Sequence, residues 1–219
     1  MSDDKSKLFG QIKDKLIASK QKWAREGRLL TGKEGQGRLP PGQRQTRDWP
    51  VLDLGLQPHV ALEDWKLTID GAVEKPLVWT WNDFLDQPQV DVQSDIHCVT
   101  AWSRYDNRWQ GVRARHVLDL VKPIAQGRFI VFHSHDGYTT NVTLEMFAAP
   151  DVLLAHSWEG GLLTREHGGP VRVVMPQYYF WKSAKWLRRI EFCEQDRPGF
   201  WEVRGYHNTG DPWKEERYG

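Results

Sequence analysis

The chain has 219 residues, 39% of them hydrophobic, enough to bury a continuous core in one large domain or two small ones. Thirty basic residues against 29 acidic ones leave a net charge of +1, which excludes the global basic field that nucleic acid or an anionic membrane would require. No stretch is apolar for long enough to span a bilayer, and the opening MSDDKSKLFG puts charges where a signal peptide needs an apolar run, so the expected location is cytoplasmic.

Leu8, Phe9, Ile12, Leu16 and Ile17 recur at helical spacing among lysines, predicting an amphipathic helix within residues 1–30. Such a helix either binds a partner or a membrane surface or docks on the protein's own body, and docking is the expectation. Residues 31–47, TGKEGQGRLPPGQRQTR, are rich in Gly, Pro and charge and read as a linker or extended arm, leaving 48–219 as the main domain.

Within that domain Lys66-Leu67-Thr68-Ile69-Asp70 alternates like a strand, Gly71 turns the chain, and Thr80 opens a short helix through Leu85. Val90 to His97 alternates again, which sets Cys98 at a strand end before a polar, tryptophan-bearing turn. The run RARHVLDLVKPIA after Gly111 is expected to be helical, with Val117, Leu118, Leu120 and Val121 as its apolar face. Arg128 to Phe132 is a buried strand candidate, followed by the turn Ser134-His135-Asp136-Gly137. Thr143 to Ala148 reads as a short capped helix, and Val152 to Ala155 as an apolar run. Gly168-Gly169-Pro170 turns into the strand Val171 to Met175, which Pro176 stops, and Arg189 to Phe192 is a last strand before a polar, aromatic tail. Strands and short helices alternate irregularly without a repeat, so the expected class is α+β, a mixed α/β domain and not a doubly wound sheet.

The chain has two cysteines, Cys98 and Cys193, and lacks an export signal, so both are expected as free thiols. A thiolate needs positive charge or a metal, and Arg104, Arg108 and Arg113 follow Cys98 closely. Zinc would draw on His97, Cys98, His133, His135 and His156, but adjacent His97 and Cys98 point to opposite faces of a strand and no C-x-x-C is present. A cysteine nucleophile with a histidine base is a further reading, although nothing singles out one of the eight histidines. A lone thiolate suffices when a cofactor supplies the remaining ligands of a soft redox metal. The 12 tryptophans suit a pocket wall as well as a core.

Two segments carry a family resemblance. SDIHCVTAWSRYDNRWQGVRARHVLDL resembles the cysteine loop and following helix of the sulfite oxidase family of molybdenum enzymes, and its C-V-x-A-W-S string is most similar to the methionine sulfoxide reductase catalytic subunit. The segment TREHGGPVRVVMP, continuing to KWLRRI at Lys185–Ile190, resembles the R-D-H-G-x-P-x-R-V-V-x-P…K-W-L segment of sulfite oxidases and plant nitrate reductases. The resemblance runs from about residue 49 to residue 206 and implies a molybdopterin-binding, sulfite oxidase-like domain carrying a molybdenum-molybdopterin cofactor. It implies that Cys98 is the protein's one sulfur ligand to molybdenum, with two more from the pterin dithiolene. Carried over by position, His167, Arg172, Ser183, Ala184 and Lys185 bind the pterin, which needs fixed cations and glycine-turn N–H groups for its phosphate and polar ring edge. Lys182 would add another cation. Ser134 and Asp136 are carried over as further contacts, against the alternative of an Asx-type turn. His97 is read as either an outer-sphere donor or a satisfied buried histidine. Tyr206 resembles the family's active-site tyrosine, a candidate proton relay, against the alternative of an anchor for the tail.

The chain also departs from the family. Sulfite oxidases place an arginine five residues after the cysteine and another near the domain start. Here Ser103 stands at the first place, with Arg104 one step on as the catalytic candidate, and Trp49 to Leu54 has no arginine. The family's immunoglobulin-like and haem domains are missing, which implies a separate electron-transfer partner. The expected function is transfer of an oxygen atom to or from a small S- or N-containing substrate; the alternatives are sulfite oxidation proper or a non-catalytic binding protein that retains the fold.

Overall fold

A computed structural model of the chain describes residues 13–22 and 37–219. Residues 13–22 are helical (α1) and dock on the domain; the rest of 1–30 and residues 31–36 lie outside the described residues. The chain then builds two sheets with three further short helices, the α+β arrangement that the sequence leads one to expect. No described helix is long and apolar enough to cross a membrane.

One sheet runs β3(Leu77–Thr80)-β2(Lys66–Gly71)-β11(Leu187–Cys193)-β6(Phe129–Ser134)-β7(Thr139–Thr143). β2 and β11 pair in parallel although they lie far apart in sequence, with Ile69 opposite Ile190. The other sheet is organised by the long β5(Trp102–Arg113), which pairs antiparallel with β4(Gln89–Cys98) along one side. On its other side lie β1(Arg44–Gln45) and β8(Leu153–Trp158); β9(Gly161–Leu162) and β10(Arg172–Val174) complete the sheet on β8.

Successive side chains on a strand face opposite ways, and this sheet uses both faces. Leu154 and Val173 enter a core shared with Leu67, Ile69, Phe132 and Ile190. Their neighbours Leu153, Ala155 and Val174 enter a second cluster with Cys98, Trp102, Trp181, Trp201 and Tyr206. The second cluster forms the floor beneath the site.

The short helices follow from local chemistry. α2(Trp81–Leu85) has Thr80 and Asp83 in a reciprocal capping box. In α4(Leu144–Phe147) the Met146 amide donates to the Thr143 hydroxyl at 3.1 Å. α3(Ala114–Val121) ends before the expected run RARHVLDLVKPIA does, because Lys122 takes a left-handed conformation and Pro123 cannot continue a helix, and Leu120 lies outside its buried face.

The polar run after Cys98 is a strand, which corrects the expectation of a turn. The turn is confined to Val99, Thr100 and Ala101, with Ala101 at φ +68°, and Trp102 already pairs back with Cys98. From Asp106 to Gly111 exposed and buried residues alternate one by one, so the polarity belongs to one face of a half-buried strand. β3 and β7 were likewise not expected as strands.

Candidate active site

Four segments converge on one cleft, with about 860 Å³ of empty space counting its open mouth. The first is the β4–β5 turn carrying Cys98. The Ala101 amide donates to the Cys98 carbonyl at 3.0 Å, the Gln43 side chain donates to the same carbonyl at 3.0 Å, and Arg217 donates to the Val99 carbonyl at 2.6 Å. The Cys98 thiol lies 3.1 Å from the Thr100 hydroxyl, and burial pushes it up against the opposing pull of Thr100, Lys20 and Arg217. An electropositive partner is therefore needed before this sulfur becomes a thiolate.

The second is the turn before β10. Gly168 sits at φ +99°, and a Cβ there would come 2.7 Å from the Lys185 Cβ, so glycine is what lets this turn close on the Lys185 segment. Arg172 is buried, donating to the His167 carbonyl at 2.8 Å and the Ser183 carbonyl at 2.9 Å, with its guanidinium over Phe180 at 4.2 Å. Among the described residues no carboxylate pairs with it, and burial pulls it down to about 9. The His167 ring stacks on Trp49 at 3.8 Å, and burial together with Arg172 and Lys185 pulls it down to about 4, which keeps it neutral. Lys185 donates to the Glu166 carbonyl at 2.9 Å and is drawn down to about 7 by burial and by Arg172.

The third segment is the turn after β6. Ser134 is buried, lines the cleft, and its hydroxyl has no partner. Asp136 lines the cleft while its carboxylate also accepts from the Tyr138 amide at 3.0 Å, so the two readings of this residue hold together. The fourth is the tail, where Tyr206 stacks on Trp201 at 4.8 Å and crosses Trp181 at 5.0 Å. Burial pushes the Tyr206 phenol well up, so at neutral pH it is a donor.

Of the residues expected at the site, Cys98, Ser134, Asp136, His167, Arg172, Ser183, Lys185 and Tyr206 line this cleft. Three others do not. Arg104 turns away to Asn107, to Glu159 at 3.4 Å and to the face of Trp158 at 4.7 Å, and it does not line the cleft where the expectation put it. Ala184 is buried in the first core and contributes its backbone carbonyl to the Val173 amide at 2.9 Å. Lys182 is fully buried against Glu202 at 2.6 Å and the Asn141 carbonyl at 2.7 Å, so its charge is already neutralised inside the fold. Lys182→Met is therefore expected to destabilise the chain by about 3–5 kcal/mol in denaturant titrations, through the Glu202 charge it strands. A variant as stable as the parent would contradict this.

Ser103 donates to Gln43 at 3.3 Å, which leaves the His97 Nδ1, 2.8 Å from the same hydroxyl, as a donor to it. Ser103 is thus buried behind the cysteine turn and does not face the cleft. Lys20, Trp49 and Asp53 are among the lining residues that had no role in the sequence reading. Only the high tryptophan count hinted at one of them. Among the described residues no group of three or more His, Cys, Asp or Glu side chains could hold a metal by itself, and both cysteines are free.

The donor set fits a molybdenum-pterin group. A buried guanidinium with only carbonyl partners and an orphaned buried hydroxyl call for an external anion and acceptor, and a single thiol stands at the same cleft. Residues 54–201 match the family model described as an oxidoreductase molybdopterin-binding domain. The chain is 44% identical over 183 residues to the oxidoreductase YuiH of Bacillus subtilis, covering 83% of this chain and 92% of that protein. It is 27% identical to the protein-methionine-sulfoxide reductase catalytic subunit MsrP of Campylobacter jejuni, covering 68% of this chain and 56% of that one. Among solved structures, the sulfane dehydrogenase SoxCD of Paracoccus pantotrophus matches with a TM-score of 0.58 at 23% identity, over 64% of this chain and 40% of that one, a likeness of fold. The chain therefore spans nearly all of YuiH but about half of MsrP.

Proposed function

The chain belongs to the family of oxidoreductase molybdopterin-binding domains and is a molybdopterin-dependent oxidoreductase, and from that premise we propose that it moves one oxygen atom to or from a small S- or N-containing substrate. When bound, the molybdenum-pterin group supplies a centre that exchanges two electrons with the substrate as the oxygen is transferred. The supporting observation is the cleft itself, which brings one buried thiol together with the buried Arg172 guanidinium, paired with no carboxylate among the described residues, and an orphaned hydroxyl.

In this reading Cys98 would hold the metal, and the Gln43 and Arg217 bonds to its turn fix where the sulfur points. Arg172 and Lys185 would hold the anionic part of the pterin, each braced on a backbone carbonyl so that little reorganisation is needed on binding. Ser134 donates its free hydroxyl, and His167, neutral and stacked on Trp49, offers a ring nitrogen without adding charge. Tyr206 lines the cleft and keeps its proton at the phenol oxygen, which has the Tyr218 hydroxyl as a hydrogen-bond partner. Trp49, Trp102, Trp181, Trp186 and Trp201 wall the cleft and restrict water. Electrons pass to or from a separate partner protein, and the cytoplasm is the proposed compartment.

Purified holoenzyme given a reduced viologen dye and dimethyl sulfoxide or trimethylamine N-oxide, or sulfite with an oxidising dye, should turn over at least one of them. A molybdenum-loaded protein that turns over none would favour a non-catalytic binding role and overturn the proposal.

A further inference from the structure

We propose that Lys20, carried into the cleft by helix α1, receives the electron-rich oxygen of the substrate at the Cys98 side of the site. The inference rests on the molybdenum-pterin reading above and adds a residue that the matched family segment, residues 54–201, does not contain.

Helix α1 is held over the cleft by contacts from several segments. Ile17 enters the same apolar cluster as Leu54, Cys98, Val99, Trp201 and Tyr206. Leu16 lies 3.1 Å from where a Cβ on Gly55 would sit, so the bare glycine at φ +85° accommodates the helix. The Gln21 side chain donates to the Arg204 carbonyl at 3.2 Å, and the Tyr218 hydroxyl donates to the Gln21 carbonyl at 2.8 Å. Together these put Lys20, 9% exposed, among the lining residues.

An ammonium has three donors. Lys20 uses one on the Asp53 carbonyl, and among the described residues no carboxylate forms an ion pair with it. The Asp53 carboxylate, the Cys98 thiol and the Lys185 ammonium all act on its charge. The other cation acting on this sulfur, Arg217, bonds the Val99 carbonyl, lies over Tyr179 and does not line the cleft. Ser103 faces His97, and Arg104 faces Glu159. Lys20 is thus a cation with donors to spare that lines the same cleft as Cys98. The recognised chemistry is an acceptor oxygen bearing negative charge, present in an oxyanion and in a neutral S- or N-oxide.

The test uses holoenzyme without reductant, so that nothing turns over, as wild type, Lys20→Met and Lys20→Arg. Nitrate, dimethyl sulfoxide and trimethylamine N-oxide are each titrated by calorimetry, and molybdenum per chain is measured alongside. At least one probe should bind the wild type, loosen by about tenfold or more in Lys20→Met, and stay within about threefold in Lys20→Arg, with molybdenum content equal in all three. Whether nitrate or the neutral oxides respond tells which source of oxygen the site takes. Equal affinity in Lys20→Met, or no probe binding to loaded wild type, overturns the proposal. So does a selective loss of molybdenum in Lys20→Met, because Lys20 would then be a cofactor residue. Wild type without molybdenum would instead bring down the underlying reading.

Discussion

Cys98→Ser is expected to lower turnover by more than about a hundredfold while leaving the chain folded. Removing an outer-sphere partner of a metal ligand already costs about 10–100-fold, and losing the ligand itself costs more. A serine hydroxyl is a hard, poorly ionised donor and does not replace a soft thiolate. The substitution is nearly isosteric, the thiol's hydrogen-bond partner is the Thr100 hydroxyl at 3.1 Å, which a serine can keep, and the turn is pinned through backbone carbonyls, so folding does not depend on the sulfur. Steady-state assays with the dye, together with loss of the thiolate charge-transfer bands in the visible spectrum, check this. Turnover near the wild-type rate with the bands intact would show that Cys98 is not the ligand.

The second large effect is expected at Arg172. Arg172→Met should cut molybdenum retained per chain by about tenfold or more, because a charge-assisted bond to an anion is worth about 1.5–3 kcal/mol and the brace between two loops goes with it. The guanidinium joins the His167 turn to the Ser183 segment through bonds of 2.8 and 2.9 Å, so the site loses shape as well as charge. Arg172→Lys should not rescue it, since an ammonium cannot span both carbonyls and still face a ligand. Lys185→Met, which removes a cation braced on one carbonyl only, should retain more of the metal than Arg172→Met. Elemental analysis of the purified proteins decides the matter, and full molybdenum in Arg172→Met would refute the assignment.

Much of the fold was legible because local chemistry and tertiary context agree. Thr80 and Thr143 cap helices where the sequence places caps, and the alternation of Lys66 to Asp70 is that of a strand with one buried face. The strand end at Cys98 and the glycine turn at Gly168 were likewise legible. What was missed depends on partners distant in sequence. Lys182 reads as a free cation until Glu202, twenty residues on, is seen beside it. Arg104 reads as a neighbour of the cysteine until β5 is seen to carry it to Glu159. Lys20 meets the Asp53 carbonyl across 33 residues, and no local pattern announces that contact. The number of tryptophans is plain in the sequence, but which ones face the cleft depends on strand register and on the tail folding back.

The central claim, that the one thiol at this cleft completes a molybdenum-pterin site, is tested most directly by X-ray absorption at the molybdenum edge of wild-type holoenzyme and the Cys98→Ser variant. The pterin dithiolene brings two sulfurs and Cys98 a third, so about three sulfur neighbours per molybdenum are expected in the wild type, with one fewer in the variant. The same sulfur count in both proteins would contradict it.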